Sequence, residues 1–441
     1  VLGEYRIEGR RAAEIFASVE RGVSDGALLP GQLLPSLREL ADQLGVNPNT
    51  VAAAYRSLRD RGVVETAGRR GTRVRARPAS SPRDAAAVEV PPGVRDLSQG
   101  NPDPALLPPL GPALAAAAER AGRSPMLYGG PPMAAELARA ARASFDADGV
   151  PAGPLVVTSG ALDTIERVLQ AWLRPGDAVA VEDPGWGSLL DLVAPLGLRP
   201  LPVSVDDEGP RPGSVRRALR SGARALIVTS RAQNPTGAAV SAARAAELRA
   251  ELAEHPDVLL IEDDHGHGIV GLPYHPLVGG GTRWAVIRSS AKALGPDLRV
   301  AVCTGDPVTV DRVQGRLRLG PGWVSHLLQD AVAELWRARA AADIARGYDE
   351  RRAALLRALA AHGVAAHGRS GLNVWVPVPD ETAAITRLLR AGWAAAPGAR
   401  FRIAAPPGMR LTVSPLAAAD VEPLAAAVAA AVRPPAVRRY D

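Results

Sequence analysis

Apolar residues recur along this chain with two different periods. Between residues 30 and 74 the spacing is helical. Leu37, Leu40, Ala41 and Leu44 share one face of a segment opened by Pro35-Ser36 and closed by Gly45. Val51, Ala54, Tyr55 and Leu58 share the inward face of a second segment capped by Asn47. The pattern predicts helix, tight turn, helix and then a hairpin, with Arg69 and Arg70 beside Gly68 and Gly71 as a basic tip. At the outward start of the second helix stand Asn47, Asn49 and Thr50, short polar groups suited to base edges and phosphates in a major groove.

Beyond residue 96 the period changes. Short apolar runs at 155–158, 178–181, 225–229, 258–262, 284–288 and 300–304 alternate with Ala/Leu/Arg stretches of helical length, such as 241–255. Strand and helix in turn predict an α/β fold with a mainly parallel central sheet covered on both faces. From about 324 long helical patterns follow, then strand candidates at 372–376 and 409–413, which together predict a smaller α+β subdomain at about 340–441. Residues 78–95 are rich in Pro, Ala and Ser without apolar periodicity, the pattern of a semi-rigid linker. The expected organisation is 1–77, linker 78–95, and 96–441.

Composition narrows the class. Hydrophobic residues make up 47% and charged residues 22%, which excludes a disordered chain. No run of about 18 apolar residues occurs, and the first residues carry acids where a signal peptide needs a basic end. With Cys303 alone there is no internal disulfide to form, so a cytoplasmic protein outside the membrane is expected. The net charge of +6 permits contact with a polyanion without requiring it. The kind of basic residue says more: among 52 lysines and arginines, Lys292 is the single lysine. In a chain dominated by Ala, Arg, Gly and Pro, lysine persists where arginine cannot replace it. A primary amine that turns nucleophilic when neutral is such a place.

The residues around that lysine fit one chemistry. Lys292 follows an apolar run amid small residues, so its amine can reach an aldehyde held above a sheet and form a Schiff base. Ser289 and Arg299 supply donors for a phosphate dianion, and Thr158-Ser-Gly-Ala-Leu162 places a helix start where an anion is favoured. Asn234 can donate to a ring oxygen, Asp263 ends a buried run where a carboxylate can pair with a pyridinium, and Trp186 offers a flat face. A rival reading takes Glu262, Asp263, Asp264, His265 and His267 as metal ligands. Strand geometry splays alternate residues to opposite faces and no distant ligand set accompanies them, so no metal is expected.

Leu34-Pro-Ser-Leu-Arg-Glu-Leu-Ala41 and Gly45-Val-Asn-Pro-Asn-Thr-Val51 closely resemble the hallmark of the GntR family of winged helix-turn-helix regulators. That resemblance implies that Arg38 contacts DNA backbone or base, that Asn47, Asn49 and Thr50 lie at the groove, and that the wing presents Arg69 and Arg70. Residues 96 to about 430 resemble the fold type I enzymes of the class I aminotransferase group, which use pyridoxal 5'-phosphate (PLP). The whole chain thus resembles the MocR family. The resemblance implies Lys292 as the internal aldimine, Asp263 at the pyridine nitrogen, Asn234 at the ring hydroxyl and Trp186 on the ring face. It also implies Gly160, Ala161, Ser289 and Arg299 at the phosphate, Tyr128 reaching the phosphate of a partner subunit, and Arg410 receiving an α-carboxylate. Two positions depart from the family pattern: His265 replaces a tyrosine that donates to the ring hydroxyl, where histidine can donate too and so counts among the expected cofactor-binding residues, and Ala291 replaces a serine.

The expected function is that of a homodimeric transcription regulator. It would bind duplex DNA and sense PLP, an amine or an amino acid through Lys292. The alternative is an active aminotransferase whose DNA-binding module adjusts its own synthesis.

Overall fold

A computed structural model describes residues 5–24, 27–29, 31–60, 63–66, 71–74, 83, 88–279, 281–338 and 341–433. They form two compact units, one of residues 1–82 with the short stretches 173–178 and 191–200, the other of the remainder.

In the first unit, helices α1 (Ala12–Ser24), α2 (Leu37–Leu44) and α3 (Pro48–Asp60) precede an antiparallel ribbon of β1 (Val64–Thr66) and β2 (Thr72–Val74). The polar residues at the helix ends explain where the helices begin and stop. Ser36 Oγ accepts the Glu39 N–H at 3.3 Å while the Glu39 carboxylate accepts the Ser36 N–H at 2.8 Å, a reciprocal cap on α2. Gly45, at φ +62°, ends the helix in the left-handed region. Asn47 Oδ1 accepts the Asn49 N–H at 2.9 Å, and Pro48 opens α3 where a missing N–H costs nothing. Ile15, Val19, Leu40, Ala41, Val51, Ala54, Tyr55 and Leu58 build the core. Leu37, expected on the buried face, is exposed. It is the first residue of α2, its side chain tilts off the N-terminal end, and buried Leu34 occupies the core there.

From residue 95 on, the chain runs β3 (Arg95–Asp96), α4 (Gly111–Arg123), α5 (Ala135–Ala147), β4 (Leu155–Thr158), α6 (Ala161–Trp172), β5 (Ala178–Asp183), α7 (Gly187–Val193), β6 (Arg199–Asp206) and β7 (Gly209–Pro210), all in the second unit but for the stretches 173–178 and 191–200. It continues with α8 (Pro212–Arg220), β8 (Ala223–Thr229), α9 (Ala242–Ala253), β9 (Leu259–Asp263), β10 (Trp284–Ser289), α10 (Ala291–Leu294), β11 (Ala301–Gly305) and α11 (Pro307–Arg318). Eight of these strands form one sheet in the order β4-β11-β10-β9-β8-β5-β6-β7. Strands β8, β9 and β10 are parallel, and β11 runs antiparallel between β10 and β4. The register sets Thr229 opposite Asp263 and Asp263 opposite Ile287, so the carboxyl ends of the parallel strands lie side by side. In an open α/β sheet that edge is where ligands bind. Strand β6 carries Pro200 and Pro202 and has only the two-residue β7 beyond it, so these prolines sit near the sheet edge, where a missing donor is tolerated.

The chain then adds α12 (His326–Ala338), α13 (Ala341–Ala361), β12 (Asn373–Pro377), α14 (Glu381–Arg390), β13 (Trp393–Ala394), β14 (Ala396–Pro397), β15 (Gly408–Thr412) and α15 (Val421–Val432). Strands β12, β15 and β14 make a three-stranded sheet, and α13, α14 and α15 share with it a second core around Leu355, Leu388, Leu411 and Leu424. The segment just before residue 98 belongs here as well. Strand β3 pairs in parallel with β13, and Leu97 is buried in this core.

Candidate cofactor site and nucleic-acid interface

A cavity of about 330 Å³ opens at the carboxyl ends of β8, β9 and β10. Lys292 reaches it because β10 ends abruptly: Ser290 donates through N–H and Oγ to Val300 O at 3.0 and 2.7 Å, which pins the turn into α10. The Lys292 amine donates to Gly100 O at 2.6 Å. Burial, and then the charge of Arg410, push the amine down to about 8.

Across the cavity stands Asp263, the last residue of β9. Its Oδ2 lies 3.1 Å from His265 Nδ1, while Oδ1 is buried with no hydrogen-bond partner. A buried bare carboxylate oxygen is costly unless a donor meets it, and a pyridinium N–H is such a donor. His265 also lines the cavity, and its Nε2 lies 2.9 Å from Ala232 O. The ring hydroxyl contact that the tyrosine position implies is therefore not available to His265. Both its nitrogens are engaged by protein atoms.

One end of the cavity is built from α6 and the turn after β10. Ala161, Leu162, Ser289 and Arg299 line it, and the first amides of α6 have no partner within the helix. Arg299 donates to Ser159 O at 2.9 Å and packs on Gly160. A Cβ at Gly160 would stand 2.8 Å from the guanidinium, and its φ of +111° disfavours any side chain. Gly160 thus shapes this end of the cavity from behind Arg299 and does not line it.

Trp186 and Asn234 line the cavity as well, joined by Leu372 and Asn373 from the small subdomain and by Gly100. Arg410 stands behind this lining. Its guanidinium donates to Asn234 Oδ1 at 2.9 Å and to Ser98 O, lies 4.7 Å from the Phe401 ring, and leaves Nε buried without a partner. Burial lowers it to about 9, with Arg400 adding to the effect. The bond to Asn234 Oδ1 turns the Asn234 amide so that Nδ2 is its remaining donor. Tyr128 is 94% exposed, set edge-on against Trp323 at 5.5 Å, and does not line this cavity.

The acidic segment 262–267 divides by function. Glu262 accepts Tyr274 Oη at 2.8 Å and the N–H groups of Leu277 and Val278 at 2.9 and 3.1 Å, and burial pushes its carboxyl up to about 7. Asp264 is clamped by Arg231 at 2.9 and 2.7 Å and by Arg288 at 3.2 Å. Asp264, Asp148 and His267 do bring ligand atoms within 4.8 Å of one another. The two guanidiniums already neutralise these carboxylates, and His267 Nε2 accepts from Trp336 Nε1 at 2.7 Å. This buried ionic network behind the cavity had no signal in the sequence, because its members come from four separated segments.

In the first unit, Arg38, Asn47 and Asn49 are exposed and Thr50 is half-buried, at the start of α2 and α3. Asn47 spends its Oδ1 on the cap and keeps its amide donors. In the ribbon Arg73 pairs with Glu65 at 2.5 Å. Arg69 and Arg70 lie outside the described residues.

Known proteins match both halves. The family of bacterial regulatory proteins named gntR matches residues 11–74, and aminotransferase class I and II matches residues 92–428. The chain is 42% identical to the vitamin B6 salvage pathway transcriptional repressor PtsJ of Salmonella typhimurium, over 95% of this chain and 98% of that protein. It is 32% identical to the pyridoxine biosynthesis transcriptional regulator PdxR of Corynebacterium glutamicum, over 68% of this chain and 64% of that one. Among solved structures, a mutant aspartate aminotransferase of Thermus thermophilus is 26% identical with a TM-score of 0.69, covering 81% of this chain and 97% of that one. No helix among the described residues is long and apolar enough to cross a membrane.

Proposed function

Because the chain belongs to the MocR family, in which a GntR-type winged helix is joined to an aminotransferase class I and II domain, we propose that it is a cytoplasmic transcription regulator that holds PLP on Lys292. One juxtaposition supports this most: a nucleophilic amine lowered to about 8 faces, across one cavity, a buried carboxylate oxygen that lacks a donor. When bound, PLP supplies an aldehyde that condenses with a primary amine and a ring that withdraws electrons.

The residues divide the task of holding it. Lys292 is the amine. Asp263 Oδ1 accepts the proton of the ring nitrogen, Asn234 Nδ2 donates to the ring hydroxyl, and Trp186 covers a ring face. Ala161, Ser289 and Arg299 take the phosphate, with Gly160 giving Arg299 its place. Exposed Tyr128 is offered to the phosphate of a partner subunit in a homodimer. Duplex DNA is taken by the first unit, with Arg38, Asn47, Asn49 and Thr50 at the groove and Arg69 and Arg70 in the wing.

The effector is PLP itself or an amine or amino acid that competes for Lys292. An amino-acid carboxylate that reaches Arg410 meets a guanidinium already bonded to Asn234 and Ser98, and this links ligand binding to the small subdomain that carries Arg410. The test titrates operator binding with PLP, then with candidate amines, in wild type and Arg410→Ala. The expected change in operator affinity is about 5- to 150-fold. If no such ligand alters operator binding while multiple turnovers occur with an amino donor and a keto acceptor, the autoregulated aminotransferase replaces this reading.

A further inference from the structure

Both ring nitrogens of His265 are committed inside the protein. Nε2 lies 2.9 Å from Ala232 O, an atom that only accepts, so Nε2 carries a hydrogen. Nδ1 lies 3.1 Å from Asp263 Oδ2. A bare Nδ1 would set two acceptors against each other in a buried site, whereas a protonated one makes a charge-assisted bond. The ring is then an imidazolium with no hydrogen left for a cofactor oxygen.

We propose that His265 is a positioning residue: its imidazolium clamps Asp263 through Oδ2 and leaves Oδ1 as the oxygen free to meet a donor in the cavity. The charged groups facing the imidazole are Asp263 from β9 and Lys292 from α10, while the strand-end segment after β8 offers only the Ala232 carbonyl. Asp264, next to Asp263 in the chain, is turned away to Arg231 and Arg288. Burial pushes the imidazole down and Lys292 repels its charge, yet Asp263 together with the Ala232 carbonyl outweighs both, and the group titrates above its ordinary value. The clamp itself is a property of the protein alone; its effect on PLP rests on the reading given above.

Two measurements test it. The first is ¹⁵N NMR of histidine-labelled full-length protein without added PLP, with the His265 signals identified by their loss in His265→Asn. Both nitrogens are expected protonated at pH 7, and in Asp263→Asn the midpoint falls by about 1 to 3 pH units. A bare Nδ1 at pH 7, or an unchanged midpoint in Asp263→Asn, overturns the proposal. The second follows the visible spectrum of the PLP-loaded protein against pH. His265→Asn should move the midpoint upward, because an unclamped Asp263 either keeps an uncompensated negative charge or loses its hold on the ring proton. That shift should vanish when Asp263→Asn is already present, since His265 acts through Asp263. A shift that persists in the double variant means that His265 touches the cofactor itself, and the clamp falls. Should NMR find the imidazolium while wild type takes up no PLP, the proposed function fails and the clamp stands.

Discussion

Lys292 meets the cavity with its proton already loosened. Capture of PLP needs the neutral amine, so its rate should rise with pH and level off above about 8. In Arg410→Met the repulsive charge is gone and the midpoint should move up, modestly, because burial is the larger cause. A pH-rate profile by stopped-flow absorbance reads both. Lys292→Ala should abolish the visible band and borohydride trapping together, and a reducible adduct in that variant would refute the assignment. Asp263 and Ser289 could be found in the sequence because each ends an apolar run, where a strand must surface, and Lys292 because it is the single lysine and follows such a run closely. Gly100 could not, because its segment has no pattern of its own; Leu372 and Asn373 stood in an expected strand, but only tertiary folding brings the start of that strand to the cavity. The role of His265 was equally hidden, since it depends on a carbonyl 33 residues away.

Elements repeat the contrast between local and distant causes. The reciprocal cap on α2 follows from Ser36 and Glu39 three residues apart, and Ser36→Ala should cost about 1 kcal/mol of that unit's stability. Hydrogen exchange of α2 amides would register the loss as faster exchange. Leu58→Ala should cost about 2 to 5 kcal/mol, because the side chain is fully buried in the core of that unit. The parallel strands β8, β9 and β10 were legible as apolar runs, since both faces are buried. Strand β6 was not, with two prolines breaking its period, and neither were the two-residue strands β3, β13 and β14, which exist only through their partners.

At the scale of the whole molecule, DNA binding and cofactor binding occupy different units and should respond to different substitutions. Arg38→Ala should weaken specific operator binding by about 1 to 3 kcal/mol if it reads a base, and leave PLP uptake unchanged. Fluorescence anisotropy with operator and random duplexes, across a salt series, separates base reading from phosphate attraction. A loss that is equal on both duplexes would assign Arg38 to the phosphates. The partition also has a practical side. Lys292 is the sole lysine of 441 residues, and its amine opens on the cavity. An amine-selective acylating reagent therefore has one side-chain amine as its target in these 441 residues, and that amine is the reporter of occupancy. Ligand protection of a single tag, read by mass, should allow unlabelled compounds to be ranked as effectors before any operator is known.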